Sequence, residues 1–177
     1  MVGSHSVGKS TLARYVSQTY HLPLLTEVAR QILSEQELQM DTLRTDLNVV
    51  DDYQMKIFHR QVEQENKYVD FVSDRSFDCL AYAAQHSRTL SKVLKDPILI
   101  DYVEKLRKQE SIIFFVRPHK AIMREDGVRE HLTWDGMIAI DAHVKFLCEM
   151  FDLRYFQINT DNMQERIRLV DAVLSLY

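Results

Sequence analysis

The residues with the plainest chemical purpose stand at the start of the chain. Positions 3–10 read Gly3-Ser4-His5-Ser6-Val7-Gly8-Lys9-Ser10, followed by Thr11, and match G-x-x-x-x-G-K-[ST]. Such a loop turns successive backbone N–H groups inward around an anion, and glycine permits the dihedrals and close approach this needs. A helix opening at Lys9 or Ser10 points its unpaired donors and positive dipole end at the same anion. The expected ligand is a nucleoside triphosphate, with ATP and GTP both open. Lys9 is expected to reach the β- and γ-phosphates and otherwise to touch nothing but ligand. Ser10 is expected to bind Mg²⁺. Thr11 is assigned to packing or the α-phosphate, and Ser4, His5, Ser6 and Val7 complete the cradle.

Two further stretches carry carboxylates where such chemistry needs them. Tyr68-Val69-Asp70-Phe71-Val72-Ser73 reads as a strand and runs into Asp74-Arg75-Ser76. A carboxylate at that point can hold a metal through water or take a proton from an attacking hydroxyl. Arg75 can hold a substrate oxygen or a transferring phosphoryl group. Asp78 and Tyr82 lie one helical turn apart beyond it. Asp78 either orients Arg75 or sits on a solvated face. Leu24-Leu25-Thr26-Glu27-Val28-Ala29-Arg30 is the second stretch. Glu27 can deprotonate or orient an acceptor hydroxyl, and Arg30 can face the same cleft.

A third segment is dense in charge. Arg117-Pro118-His119-Lys120 precedes Arg124-Glu125-Asp126-Gly127-Val128-Arg129-Glu130-His131. Arginines interleaved with acids suit a lid over residues 117–133, in which Arg124 and Arg129 neutralise phosphoryl oxygens while closure excludes water. Glycine use supports this division. The chain has four glycines, where ordinary usage of roughly 7% would place about a dozen. Two lie in the phosphate loop, one within the charged segment and one just beyond it.

The elements that position these residues alternate along the chain. Expected helices cover Lys9 to Tyr20, residues 27–40, 46–66, 77–86, 97–109, 135–150 and 161–176, the last with Asp161 and Gln164 as a capping pair. Expected strands cover residues 22–26, 68–73, 112–116 and 154–158. Strands alternating with helices imply a parallel sheet covered on both faces, a three-layer α/β sandwich. Ligands in such sheets bind at the carboxyl ends of the strands, where each motif falls. Only Met1 and Val2 precede Gly3, although a central strand is expected there.

Composition sets outer bounds. The chain has 177 residues, about one domain's worth. Hydrophobic residues make up 46% and charged residues 27%, so whole-chain disorder is excluded. The longest apolar run, Ile112 to Val116, is far short of the ~20 residues of a membrane span. No basic-then-apolar leader opens the chain. Cys79 and Cys148 have no metal or redox spacing and are expected to be reduced core thiols, consistent with a cytoplasmic protein. A net charge of −4 argues against a broad nucleic-acid footprint.

Taken together, Gly3–Thr11, Thr26-Glu27-Val28-Ala29-Arg30, Ser73-Asp74-Arg75-Ser76-Phe77-Asp78-Cys79-Leu80-Ala81-Tyr82 and Glu125-Asp126-Gly127-Val128-Arg129 resemble the P-loop nucleoside and nucleotide kinases. The likeness is strongest to the small AAA-type ATPase/kinase group that includes ribosylnicotinamide kinase and many phage proteins. Asp74-Arg75-Ser76 is also similar to the acidic-Arg-Ser run of deoxynucleoside kinases, though Glu27 lacks the proline common there. The resemblance implies a P-loop fold with a five-stranded parallel sheet in one domain over residues 1–177. It implies transfer of the ATP γ-phosphate, with Mg²⁺, to a hydroxyl of a nucleoside-like substrate. Asp74 or Glu27 would be the base, and Arg75 would lie at the substrate. Glu27, Arg30, Gln61, Arg75 and Tyr82 are the substrate candidates, with Gln54 and Phe58 as further candidates for the base pocket. No fused adenylyltransferase domain is expected. Two alternatives stay open. One is a kinase acting on a hydroxymethylated base or hydroxyl within DNA, using a groove lined by Arg44, Arg88, Lys92 and Lys95. The other is a non-kinase ATPase or NTP switch. The sequence does not give the oligomeric state.

Overall fold

A computed structural model describes residues 1–26, 47–85, 91, 94–108, 111–122 and 133–177. Four short strands form two parallel pairs. β1 (Leu24–Leu25) pairs with β2 (Val72–Ser73), placing Leu24 opposite Val72 and Leu25 opposite Ser73. β3 (Phe114–Val116) pairs with β4 (Phe156–Ile158), placing Phe114 opposite Phe156 and Val116 opposite Ile158. Met1 and Val2 lie between the pairs. The Met1 nitrogen donates to the Ser73 carbonyl at 2.8 Å. Val2 N–H donates to Phe114 O, and Val116 N–H to Val2 O, both at 2.9 Å. Val2 therefore makes one isolated parallel bridge, to Phe115, rather than a strand. The expected parallel α/β arrangement is present, but the described residues form two pairs and not one five-stranded sheet.

The helices follow the apolar spacing. α1 (Lys9–Tyr20) buries Leu12, Ala13 and Val16. α2 spans Leu47–Glu65 and α3 Cys79–Gln85. α4 (Pro97–Lys108) begins with proline, which has no amide hydrogen to leave unpaired. Asp96 Oδ1 accepts from Ile98 N–H at 2.8 Å and caps it. Three basic residues, Lys105, Arg107 and Lys108, close α4 at its negative dipole end. α5 (Trp134–Met150) is capped by Thr133, and α6 (Met163–Leu174) by Asn162. Asn162 Oδ1 accepts from Gln164 and Glu165 N–H groups. The cap thus falls one residue later than the expected Asp161, because an asparagine oxygen satisfies two amides at once.

A larger correction concerns residues 68–73. The apparent alternation there predicts a six-residue strand, yet Val69 is 95% exposed and only Val72 and Ser73 pair. The chain leaves α2 through a tight turn, with Lys67 N–H on Gln64 O and Tyr68 N–H on Glu65 O. Those bonds hold Lys67 and Tyr68 against the helix end, so the strand cannot start until the chain has turned.

Side-chain alternation along β3 shows why both sheet faces are covered. Phe114 and Val116 join a cluster with Leu12, Val16, Ile158 and Val170 of α1, β4 and α6. Phe115 joins the opposite cluster, with Phe58, Leu80, Tyr102 and Leu147 of α2, α3, α4 and α5. Phe58, a candidate for the base pocket, is fully buried in that second cluster and serves as core. Cys79 and Cys148 are free and buried as expected. Among the described residues, no helix is long and apolar enough to cross a membrane.

Candidate functional site

The phosphate loop has the backbone its glycines foretell. Gly3 has φ 145° and Gly8 φ 91°, and Ser6 takes φ 55°. A Cβ on Gly3 would run into the carbonyl oxygen of Val116, so only glycine lets the loop pass this close to β3. Gly8 caps α1 in the left-handed region with no side-chain cap bond, leaving the first-turn amides to an anion.

Lys9 does not touch ligand alone. Its Nζ donates to Gly3 O at 2.6 Å and Ser4 O at 2.7 Å, and lies 3.4 Å from Asp78 Oδ2. The lysine is folded back across its own loop, with its charge held by the carbonyls a phosphate would otherwise displace. Burial lowers the Lys9 pKa from its ordinary value, against the opposing pull of Asp78.

The exit of β2 meets this loop. Ser10 Oγ donates to Asp74 Oδ2 at 2.5 Å. Asp74 is 7% exposed, and its other oxygen, Oδ1, is buried with no hydrogen-bond partner among the described residues. A buried carboxylate oxygen left unpaired is costly, and such an atom at a cleft fits a cation. Ser10 with Asp74 is the donor set that Mg²⁺ favours when phosphate oxygens and water complete its shell. No cluster of three or more metal-ligating side chains occurs among the described residues.

Asp78 proves more central than its sequence context suggests. It is 2% exposed, accepts from Ser76 N–H through Oδ1 at 2.9 Å, and turns Oδ2 to Lys9. Burial disfavours the charge of Arg75, but Asp78 foremost, then Tyr82 and Asp74, outweigh it and hold the guanidinium above its ordinary value. Asp78 thereby pairs with the lysine and favours the charge of the arginine. The solvated-face alternative for Asp78 falls away.

The other candidates divide. Gln61 is 1% exposed and donates to Glu65 Oε1 at 2.8 Å and Ser73 Oγ at 2.9 Å. Its amide nitrogen is therefore spent inside the protein. Tyr82 stacks on His5, ring centroids 4.5 Å apart, which ties α3 to the loop. Thr11 is exposed at the outer side of α1. Glu27, Arg30, Arg124 and Arg129, most of the lid segment, and Arg44, Arg88 and Lys92 of the suggested groove lie outside the described residues.

Two groups escaped the sequence reading. Glu65 accepts from Gln61 and from Tyr102 Oη at 3.2 Å, while Tyr102 Oη lies 2.5 Å from Ser76 Oγ. Arg166 on α6 is fully buried and bonds to the phosphate loop. Nothing in the local sequence marks Arg166. Glu65, seven residues before β2, reads as part of a solvated helix end.

The sequence model of a family described as an AAA domain matches residues 1–166. No curated protein sequence matches the chain. Among solved structures, a deoxyadenosine kinase from M. mycoides with bound dATP is similar at a TM-score of 0.65 and 15% identity, covering 98% of this chain and 96% of that one. The same kinase with bound dCTP gives a TM-score of 0.64 at 13% identity, covering 99% and 97%. Its complex with the products dCMP and dCDP gives the same values. At these identities the likeness establishes a shared fold.

Proposed function

From the premise that the chain belongs to the AAA-domain family, within the P-loop nucleoside kinase-like superfamily, we propose that it is an ATP-dependent phosphotransferase acting on a hydroxyl of a nucleoside-type substrate. One observation carries the reading. Residues Lys9 and Ser10 of the loop meet Asp74 and Asp78 from beyond β2, at 2.5 Å for Ser10–Asp74 and 3.4 Å for Lys9–Asp78. The pairs are 64 and 69 positions apart in the chain, and packing brings them within reach of one another. Neighbours of the same fold bind dATP and dCTP, which supports a nucleotide ligand.

The residues divide the work as follows. The loop amides and the open end of α1 bind the triphosphate. Lys9 exchanges its carbonyl partners for the β- and γ-phosphate oxygens. Ser10 and Asp74 would hold Mg²⁺, which supplies neutralisation of the phosphate charge. The acceptor hydroxyl gives its proton to a carboxylate, its oxygen bonds to the γ-phosphorus, and the bond to the β-phosphate oxygen breaks, releasing ADP. Glu27 and Asp74 are the candidate bases. Asp74 Oδ2 already accepts from Ser10, which favours a metal-side role for Asp74 and leaves Glu27 for the proton. Arg75, oriented by Asp78, binds the acceptor or the transferring group, and Arg124 and Arg129 neutralise it from a lid over residues 117–133.

The test is γ-labelled ATP with the protein and, in parallel, free nucleosides, nucleotides and hydroxymethylated duplex DNA. Label transferred to a free nucleoside, with ATP consumed only when acceptor is present, is the expected result. Label on DNA alone would move the acceptor to a polynucleotide. Acceptor-independent hydrolysis would replace the kinase with an NTPase.

A further inference from the structure

Arg166 is a charged side chain with 0% exposure, the largest fully buried side chain of the described residues. Burying a guanidinium is expensive unless its donors are met. Its Nε donates to Thr160 O at 2.6 Å, and its Nη1 donates to Val7 O. Its Nη2 has no hydrogen-bond partner among the described residues. Among the described residues no carboxylate lies at ion-pair distance from it; Asp161 favours its charge from further away, and two backbone carbonyls meet its Nε and Nη1. One belongs to the segment after β4 and the other to the phosphate loop.

The position on the loop is specific. Val7 precedes Gly8, and a Cβ on Gly8 would come within 3.2 Å of Arg166 Nη1. The missing side chain at residue 8 leaves the guanidinium room against the loop. A peptide unit is planar and trans, so its C=O and N–H point in opposite directions. With Val7 C=O drawn towards α6, the Gly8 N–H must point away from α6. The guanidinium also has a fixed base. Asp171, on the same helix, accepts from Tyr15 Oη at 2.7 Å and Tyr20 Oη at 3.1 Å, locking α6 to α1.

We propose that Arg166 is a positioning residue for triphosphate binding. It sets the orientation of the Val7–Gly8 peptide and places a positive charge, with no ion-pair partner among the described residues, behind the loop. It acts through the loop, and the first link is its bond to the Val7 carbonyl. The inference rests on the triphosphate reading above and deepens it. It explains why α6, which contributes none of the expected catalytic groups, nonetheless reaches the loop.

Equilibrium titration of ATP with Mg²⁺, and separately of inorganic tripolyphosphate, tests it on wild type, Arg166→Met and Arg166→Lys. Arg166→Met should weaken both ligands by roughly ten- to a hundredfold, the size of one charge-assisted hydrogen bond. Arg166→Lys, which keeps the charge and one donor, should recover part of the loss. In turnover, ATP KM should rise while acceptor KM stays unchanged, a split that general loosening of the fold would not produce. A folded Arg166→Met protein that binds both ligands like wild type overturns the proposal. So does failure of both variants to fold, which would assign Arg166 to stability alone. A wild-type protein that binds neither ligand overturns the triphosphate reading itself and the inference with it.

Discussion

The exit of β2 has two sides, and they are built on opposite plans. On the front, Asp74 and Asp78 face Ser10 and Lys9, with one carboxylate oxygen unpaired and a lysine borrowing carbonyls from its own loop. At the rear, Gln61, Glu65, Ser73, Ser76 and Tyr102 close a buried network in which each has a protein partner. Both sides are polar and both are buried, so polarity alone does not distinguish a site from a scaffold. What distinguishes them is completeness. A network that satisfies itself holds a strand exit in place, whereas groups left short of partners await a ligand.

The strongest challenge to that contrast is Lys9→Ala. If the front is a phosphate site, transfer should fall on the order of a thousandfold, as for loss of a major transition-state donor. Because Lys9 also contacts Gly3, Ser4 and Asp78, the melting temperature should be recorded with the rate. A full rate with an intact fold would erase the distinction between the two sides. Asp74→Asn comes next. Turnover should fall about a hundredfold while ATP affinity changes much less, because the metal that Asp74 would help hold neutralises charge that builds up on the transferring group. Equal losses in both would reduce Asp74 to a ligand-binding role.

Gly3→Ala sharpens the comparison through stability. The added Cβ meets the Val116 carbonyl at φ 145°, which should cost about 2–4 kcal/mol, read as a drop in melting temperature. An unaffected melting temperature would show that loop and β3 do not pack as closely as described.

The smallest effect belongs to the rear. Burial raises the Glu65 carboxyl above its ordinary value, while bonds from Gln61 and Tyr102 oppose the rise. A carboxyl raised on folding contributes stability below its unfolded value. That contribution is lost as pH climbs through the unfolded value to the folded one. Glu65→Gln keeps the acceptor oxygen and removes the titration. Relative to wild type it should therefore gain stability as pH rises towards neutrality, by a few degrees of melting temperature at most. A pH profile parallel to wild type would show that Glu65 does not titrate differently in the folded state.

Much of this was legible in the chain. The G-x-x-x-x-G-K-S spacing located the loop, and the acidic strand end located Asp74, because both signals are local and carry their own geometry. Helix positions followed apolar spacing closely at α1, α2, α4 and α5. The strand before Asp74 was overread, since period-two alternation over a few residues cannot distinguish a strand from an exposed turn such as the one at Val69. Gln61 was read as a substrate group, but its amide turned inward to Ser73 and Glu65.

The sequence by itself determined the glycine loop, the helix it opens, the alternation of strands and helices, and the carboxylate that follows β2. Those features depend on residues a few positions apart. Tertiary structure alone decided that Asp78 would join Lys9, that Glu65 would be closed in by Tyr102, and that Arg166 would reach the loop from 159 residues away. Burial creates those roles. A charged group removed from water must take whichever partners the packed fold brings within reach, and no spacing along the chain encodes them.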